Sequence, residues 1–327
     1  MTVSYAFSQP GRVAEHTLTH VLNTAQELGY HRPNGTARAL RSGRTGQLGV
    51  VLGEHLSYAF DDPQAALLLA GVADVCVEHD LGLVLIPTHG DAGDVDRVLA
   101  AAVDAYVLWT RPQDDPVLRA VADSGRPAAI QGGPAAPGIV CIGPDDAAAA
   151  RAVASRALDA APVTEDPAVL IVAFPLDEDR SPASITADLL PEHIPFPVTR
   201  ARLEGYRDAI KASGIAWESA RIEVVERNTR EAGALAMHRR EMPEGSRDLV
   251  ILAMSDQLAL GVLEAASGSD HRLTVTGWDA SPEALAAGVI SVTNPLREQG
   301  ELCARAALDP TTPVGPVRWE VVPVSEK

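Results

Sequence analysis

The sequence predicts an α/β protein of two doubly wound lobes preceded by a short helical segment. Three observations carry that expectation. The chain has 327 residues, which at roughly 150 residues per domain makes two domains and an appendage. From Gln47 onward, short runs of Val, Ile and Leu alternate with stretches of helical spacing, the pattern of parallel strands joined by crossover helices. The alternation is interrupted at Ala161–Pro167 (APVTEDP), which reads as a linker, and then restarts.

The N-terminal segment differs in character. Arg12–Gly29 reads as one helix, with Val13, Thr17, Val21, Ala25 and Leu28 at helical spacing and Gly29 as its stop. Pro33-Asn34 opens a short second helix, Gly35–Arg41. In the first half of the body, strands are expected at Leu48–Leu52, Leu83–Pro87, Tyr106–Trp109, Ala128–Gln131 and Ile139–Ile142. Asp62-Pro63 starts a helix with Asp as N-cap and Pro at the first helical position, and Asp145 or Asp146 starts an Ala-rich one. In the second half, strands are expected at Val169–Ala173, Ile222–Val225, Leu249–Met254 and Leu273–Gly277, with helices over Thr199–Ser213, Thr229–Glu241 and Asp256–Ser267. Pro175–Pro197 reads as an irregular surface excursion. The chain closes with a strand at Ile290–Thr293, a helix opened by Asn294-Pro295, and a strand near Arg318–Val322. Paired lobes of this kind place ligands in the cleft at the carboxyl ends of their strands.

Composition narrows the function classes. The net charge of −17, with lysine only at Lys211 and Lys327, argues against a wholly basic nucleic-acid coat or a polybasic membrane binder. Yet residues 1–46 hold five arginines against two glutamates. A cationic end on an acidic body suits contact with a polyanion; the alternative is an arginine cluster on a solvated helix. No window approaches 18 uninterrupted apolar residues, and the N-terminus lacks a basic stretch followed by an apolar one, so neither a membrane span nor a secretory signal is expected. Cys76, Cys141 and Cys303 lie far apart without CxxC spacing, which excludes a disulfide framework and a Cys-based zinc site and suits a reducing cytoplasm.

Several short strings then recur in order. Thr2–Ser8 (TVSYAFS) is followed by Gly29-Tyr30, Pro33-Asn34, Ala37, Ala39-Leu40, Gly43-Arg44-Thr45 and Leu48-Gly49-Val50-Val51. Ala253–Gly261 (AMSDQLALG), Gly277-Trp278-Asp279 and Thr293-Asn294-Pro295-Leu296 come later. Singly each is weak; together they cover essentially the whole chain. The chain resembles the lactose-repressor/galactose-repressor (LacI/GalR) family of transcription regulators.

That resemblance implies a helix-turn-helix headpiece, a hinge helix that enters the minor groove as a symmetric pair, and two periplasmic-binding-protein-like lobes that bind an effector and dimerise. On this reading residues 1–32 form a partial headpiece and 33–46 the hinge helix. Residues 47–161 and 294–308 form the N-terminal lobe, and 162–293 and 309–327 the C-terminal lobe. Thr2–Ser8 matches the recognition helix, with Thr2, Ser4 and Tyr5 as base or phosphate contacts. Leu40 matches the hinge leucine that wedges between base steps, the alternative being packing against the lobe. Asn34, Arg38 and Arg41 fall along phosphate or the groove floor. The family's first headpiece helix has no counterpart before Thr2, so two readings stay open: a natural start further upstream, or a protein that binds a small molecule and has lost DNA binding.

The resemblance also places Arg202 and Asp279 at the effector, where a guanidinium fork and a carboxylate suit a polyhydroxylated ligand such as a sugar. The alternatives are a salt bridge from Arg202 to Glu204 or Asp208 and a turn role for Asp279. Tyr58, Phe60 and Asp61 follow the first strand at the cleft mouth, and Trp278 is placed to stack on a sugar face. Asp256 reads as a helix cap. No GxSxG, P-loop, GxGxxG or HExxH is present, so neither an enzyme nor a cofactor is expected. His16 and His20, four apart, lack a third ligand for a metal. The expectation is a cytoplasmic, homodimeric regulator, a repressor, with palindromic operator DNA and a small-molecule effector as partners and no membrane.

Overall fold

The computed structural model describes residues 2–8, 10–30, 43–53, 60, 62–161, 167–239 and 248–323. Two α/β lobes follow a helical hairpin. The hairpin consists of α1 (Thr2–Ser8), a 3-10 turn (Pro10–Arg12) and α2 (Glu15–Glu27). The long helix expected from Arg12 therefore starts later, because Pro10-Gly11 closes its own turn. Ala6 and Ala25 are its buried apolar residues, Phe7 meets Tyr30 edge-on at 5.6 Å, and Leu28 stays exposed. The helix expected at 35–41 lies outside the described residues.

The first lobe contains β1 (Gln47–Leu52), α3 (Pro63–Glu78), β2 (Gly82–Pro87), α4 (Asp94–Ala100), β3 (Ala105–Leu108), α5 (Pro116–Asp123), β4 (Ala128–Gln131) and β5 (Ile139–Ile142). Its five strands are parallel in the order β2-β1-β3-β4-β5. The apolar runs of β1, β3 and β4 are central strands, buried on both faces, and β2 and β5 are the partly exposed edges. Asp62 caps α3, its carboxylate accepting from the Gln64 N–H at 2.9 Å. At the amino end of β3 the Asp104 carboxylate receives the N–H groups of Thr45 (2.6 Å) and Gly46 (2.9 Å) and the Thr45 hydroxyl (2.9 Å). This clamp fixes the point where the chain enters the first lobe. Burial pulls the Asp104 pKa up, but these hydrogen bonds hold it below the ordinary carboxylate value.

The second lobe contains α6 (Asp146–Ala160), β6 (Ala168–Ala173), β7 (Ala183–Thr186), α7 (Pro197–Ala212), β8 (Arg221–Val224), α8 (Arg230–Arg239), β9 (Asp248–Ala253), α9 (Asp256–Ala265), β10 (Arg272–Trp278), α10 (Pro282–Ala286) and β11 (Ile290–Val292). Then come α11 (Leu296–Leu308) and β12 (Val321–Val322). Seven strands order as β12-β11-β10-β9-β6-β8-β7, with β7 and β12 antiparallel edges. The excursion at 175–197, expected to be irregular, thus supplies the edge strand β7.

The boundary between lobes differs from the expected one. The break at Ala161 places the Ala-rich helix α6 with the first lobe, but its Ala149, Ala150, Val153, Ala154 and Ala157 pack with α7 onto the second sheet. The chain therefore crosses between Ile142 and Asp146. It returns between Val292 and Leu296, since α11 packs on α3 in the first lobe. It crosses a third time after Val317, because Val314 and Val317 join the first core whereas Trp319 and Val321 pack against the second. Among the described residues no helix is long and apolar enough to cross a membrane.

Candidate functional site

The carboxyl ends of both sheets face one cavity. From the first lobe come Asp62, Gln64, Trp109 and Gln131; from the second come Asp146, Phe174, Arg202, Asn228, Ser255 and Asp279; Asn294 contributes from a crossing segment. Arg180, Phe196, Glu226 and Arg227 complete the wall. The polar ends and apolar rings together suit a ligand that is hydroxylated on its rim and apolar on its faces.

Arg202 sits on the buried stripe of α7 with Thr199, Leu203 and Tyr206. Glu204 and Asp208, the alternative partners, lie on the exposed face. Its Nε donates to Asp146 Oδ1 at 2.9 Å and its Nη1 to the Met254 carbonyl at 2.5 Å. The guanidinium carbon stands 3.5 Å from the Trp278 ring centroid and 5.6 Å from that of Phe174, a cation–π arrangement strengthened by burial. Arg202 is thus a locked group, its charge met by Asp146. Burial raises the Asp146 pKa, and Arg202 opposes that rise.

Trp278 does not reach the cavity. It is fully buried, backs the guanidinium, and donates from Nε1 to the Tyr206 hydroxyl at 3.1 Å. Its expected stacking on a sugar face is corrected to support of Arg202, because the inward face of a central strand is occupied by the core. Burial pushes the Tyr206 phenol up to about 12. The rings that do face the cavity are Trp109, Phe174 and Phe196.

Asp279 follows β10 with φ at +105°, a conformation that costs a non-glycine residue on the order of 1–3 kcal/mol and clusters at functional sites. Its N–H donates to the Val292 carbonyl at 2.7 Å, and its Oδ1 accepts from Asn294 Nδ2 at 3.1 Å. Burial and then the Asp256 charge raise its pKa well above the ordinary value. Asp256 is not the helix cap expected of it. Ser255 caps α9 by accepting from the Leu258 N–H, while the Asp256 carboxylate accepts from the Ser281 N–H and the Ser291 hydroxyl, both at 2.7 Å.

A chain of contacts also spans the cleft. The Ser255 hydroxyl donates to Asn228 Oδ1, and Asn228 Nδ2 donates to Asp62 Oδ2 at 3.4 Å. Gln64 Oε1 is buried on the wall with no hydrogen-bond partner among the described residues, an acceptor that a ligand hydroxyl would satisfy.

The remaining expected residues fall as follows. Phe60 is 64% exposed and is not among the cavity-lining residues. Tyr58 and Asp61 lie outside the described residues, as do Asn34, Arg38, Leu40 and Arg41. Thr2, Ser4 and Tyr5 lie on α1, where Thr2 is exposed and Tyr5 half-buried. Among the described residues no group of three or more metal-ligating side chains forms. Sequence reasoning missed Gln64, Trp109, Gln131 and Asn228. Each lies at a strand end or helix start, and position at the carboxyl edge was the available signal.

Fold and site together define a two-lobed small-molecule-binding protein carrying an N-terminal helical unit. Comparison with known proteins makes the class specific. The chain is 30% identical over 317 residues to the HTH-type transcriptional regulator Rv3575c of Mycobacterium tuberculosis, covering 94% of this chain and 87% of that one. It is 32% identical over 311 residues to the regulator IpsA of Corynebacterium glutamicum, covering 91% and 84%. A crystal structure of a LacI-family regulator from Corynebacterium glutamicum matches with a TM-score of 0.75 and 26% identity, covering 99% of this chain and 94% of that one. A complex of the regulator CelR with cellobiose has the same fold, with a TM-score of 0.65 and 23% identity, over 99% and 95%. No family model matches the chain. The chain belongs to the LacI/GalR family of transcriptional regulators.

Proposed function

We propose that the protein is a sugar-responsive repressor whose effector is neutral and polyhydroxylated. The carrying observation is the state of Arg202: its Nε is taken by Asp146, its Nη1 by the Met254 carbonyl and its face by Trp278. The Arg202 charge is thereby met largely within the protein, while Asp62 and Asp279 present acceptors for hydroxyls. An anionic ligand would be buried against like charge. The fold's likeness to the CelR–cellobiose complex supports a sugar.

On this reading ligand binding changes how the lobes close. The change reaches the DNA-binding segment through the first lobe, where Asp104 holds Thr45 and Gly46. Thr2, Ser4 and Tyr5 contact DNA from α1, and Asn34, Arg38, Leu40 and Arg41 do so from the hinge segment, residues 33–46. The protein works as a homodimer on a palindromic site.

The test is selection of duplexes from random-sequence DNA, followed by anisotropy titration with and without cellobiose, maltose and glucose. An enriched palindrome whose affinity falls about 5- to 150-fold with one sugar is expected. Enrichment without any sugar effect would remove the effector role assigned here. A second reading, a small-molecule-binding protein without operator binding, is favoured by one observation. The hairpin leaves Val3, Leu22, Leu28 and Tyr30 exposed, a thin core for an independent DNA-binding unit. It predicts sugar binding with no enriched duplex.

A further inference from the structure

A line of three side-chain hydrogen bonds runs from the first lobe to the second. Gln131, at the carboxyl end of β4, donates from Nε2 to Gln299 Oε1 at 3.0 Å. Gln299, in the first turn of α11, donates from Nε2 to Asn294 Oδ1 at 2.7 Å. Asn294, in the crossing segment, donates from Nδ2 to Asp279 Oδ1 at 3.1 Å. Both ends of the line, Gln131 and Asp279, face the cavity from opposite lobes. Of its two interior members Asn294 also lines the cavity, whereas Gln299 is fully buried and does not.

The three bonds all point the same way, and chemistry sets that direction. The Asp279 oxygen that meets Asn294, Oδ1, accepts. Asp279 therefore turns the Asn294 amide so that its NH2 faces the carboxylate and its oxygen faces back. Gln299 must then donate to Asn294 and present its own oxygen to Gln131, which must donate in turn. Reversing any one amide leaves two donors or two acceptors face to face in a buried site, at a cost no solvent relieves.

We infer that Gln299 is a positioning residue for effector recognition: acting through Asn294, it fixes the orientation of Asp279 and ties that carboxylate to Gln131 in the other lobe. The inference rests on the effector reading above. Asp279 Oδ1 is committed to the relay, so the ligand meets Oδ2. There a carboxylate oxygen can accept from a ligand hydroxyl. The same bonds hold the crossing segment to both lobes, so a ligand that engages Asp279 also stiffens the joint on which lobe closure turns.

The test uses the full chain and two readouts. The first needs no ligand. Melting temperatures are measured for Gln131→Met, for Asp279→Gly, which removes the acceptor at a φ of +105° that glycine tolerates, and for the double variant, and again in a Gln299→Met background. Gln131 and Asp279 do not touch, so without the relay their effects would add. Non-additivity of at least about 2 °C is expected, with its loss once Gln299 is Met. Additivity within about 1 °C overturns the relay, and should Gln299→Met fail to fold, the cycle in the natural background decides alone.

The second readout is calorimetric titration with cellobiose. Gln299→Met is expected to weaken binding about tenfold or more although it touches no ligand, and an unchanged affinity overturns the positioning role. If cellobiose does not bind the unaltered chain, the choice of sugar fails, and the melting cycle still rules on the relay.

Discussion

Arg202 shows how a buried cation is made tolerable. Two hydrogen bonds, one of them to a carboxylate, and one aromatic face satisfy it within the second lobe. Removing it strands Asp146, whose side chain is 9% exposed. Arg202→Met is therefore expected to cost about 3–5 kcal/mol in denaturant unfolding, because breaking a buried pair leaves an uncompensated charge. Adding Asp146→Leu should recover most of that loss, and a double variant no more stable than the single one would show that the ion pair is not the source of the effect. Asp279 behaves in the opposite sense. Its pKa is raised in the fold, so the fold favours the protonated acid. That contribution is fully present below the unfolded value of about 3.9 and is lost as pH rises through the folded value. Asp279→Asn, which also tolerates positive φ better, should leave the protein at least as stable at pH 7 and remove part of the decline of stability with rising pH. Calorimetric melting of both proteins across pH 4–8 checks this, and sugar affinity should fall in the same variant.

At the scale of elements, close helix contact carries the first lobe. A side chain on Gly300 of α11 would run into the Leu68 carbonyl of α3, and one on Gly71 of α3 into the Arg297 carbonyl of α11. Gly300→Ala is expected to lower stability by about 1–3 kcal/mol as the helices separate, read from the denaturation midpoint at constant m-value. The strands were legible because buried runs such as Val50-Val51 and Leu249–Ala253 have no polar face. The edge strand β7 was not, because its short Ala-Ser-Ile-Thr run sits among prolines and gains its order from pairing with β8. The side of α6 was not legible either: an alanine-rich stripe states which face is buried but not which sheet buries it. The site divides in the same way. Arg202 and Asp279 were found through resemblance, whereas Asp146, Gln299 and the Met254 carbonyl owe their roles to contacts between distant parts of the chain that no local spacing encodes.

For the whole molecule, charge is segregated: an acidic body carries an N-terminal segment with five arginines in residues 1–46. If that segment grips phosphate, operator affinity should fall steeply with salt, each neutralised phosphate contributing a slope of about −0.9 on a log–log plot. If the effector is a neutral sugar, its affinity should be nearly flat over the same range. Parallel titrations from 50 to 300 mM salt separate the two, and a flat DNA response would remove phosphate contact as the basis of binding.

The order of synthesis also follows from where the chain crosses between lobes. The first lobe's core contains Cys303, Ala304, Ala306 and Ala307 from α11 beside residues of β1, α3 and β3. The ribosome therefore releases five strands of that sheet long before the helix that covers one of its faces, with everything from Gly143 to Pro295 made in between. At about 5–20 residues per second that wait is on the order of 10–30 s. During it the second lobe can close most of its own core while the side of α3 that α11 covers stays bare. The nascent first lobe is thus the half that must be shielded from aggregation, and a chain stopped before α11 exposes its apolar face.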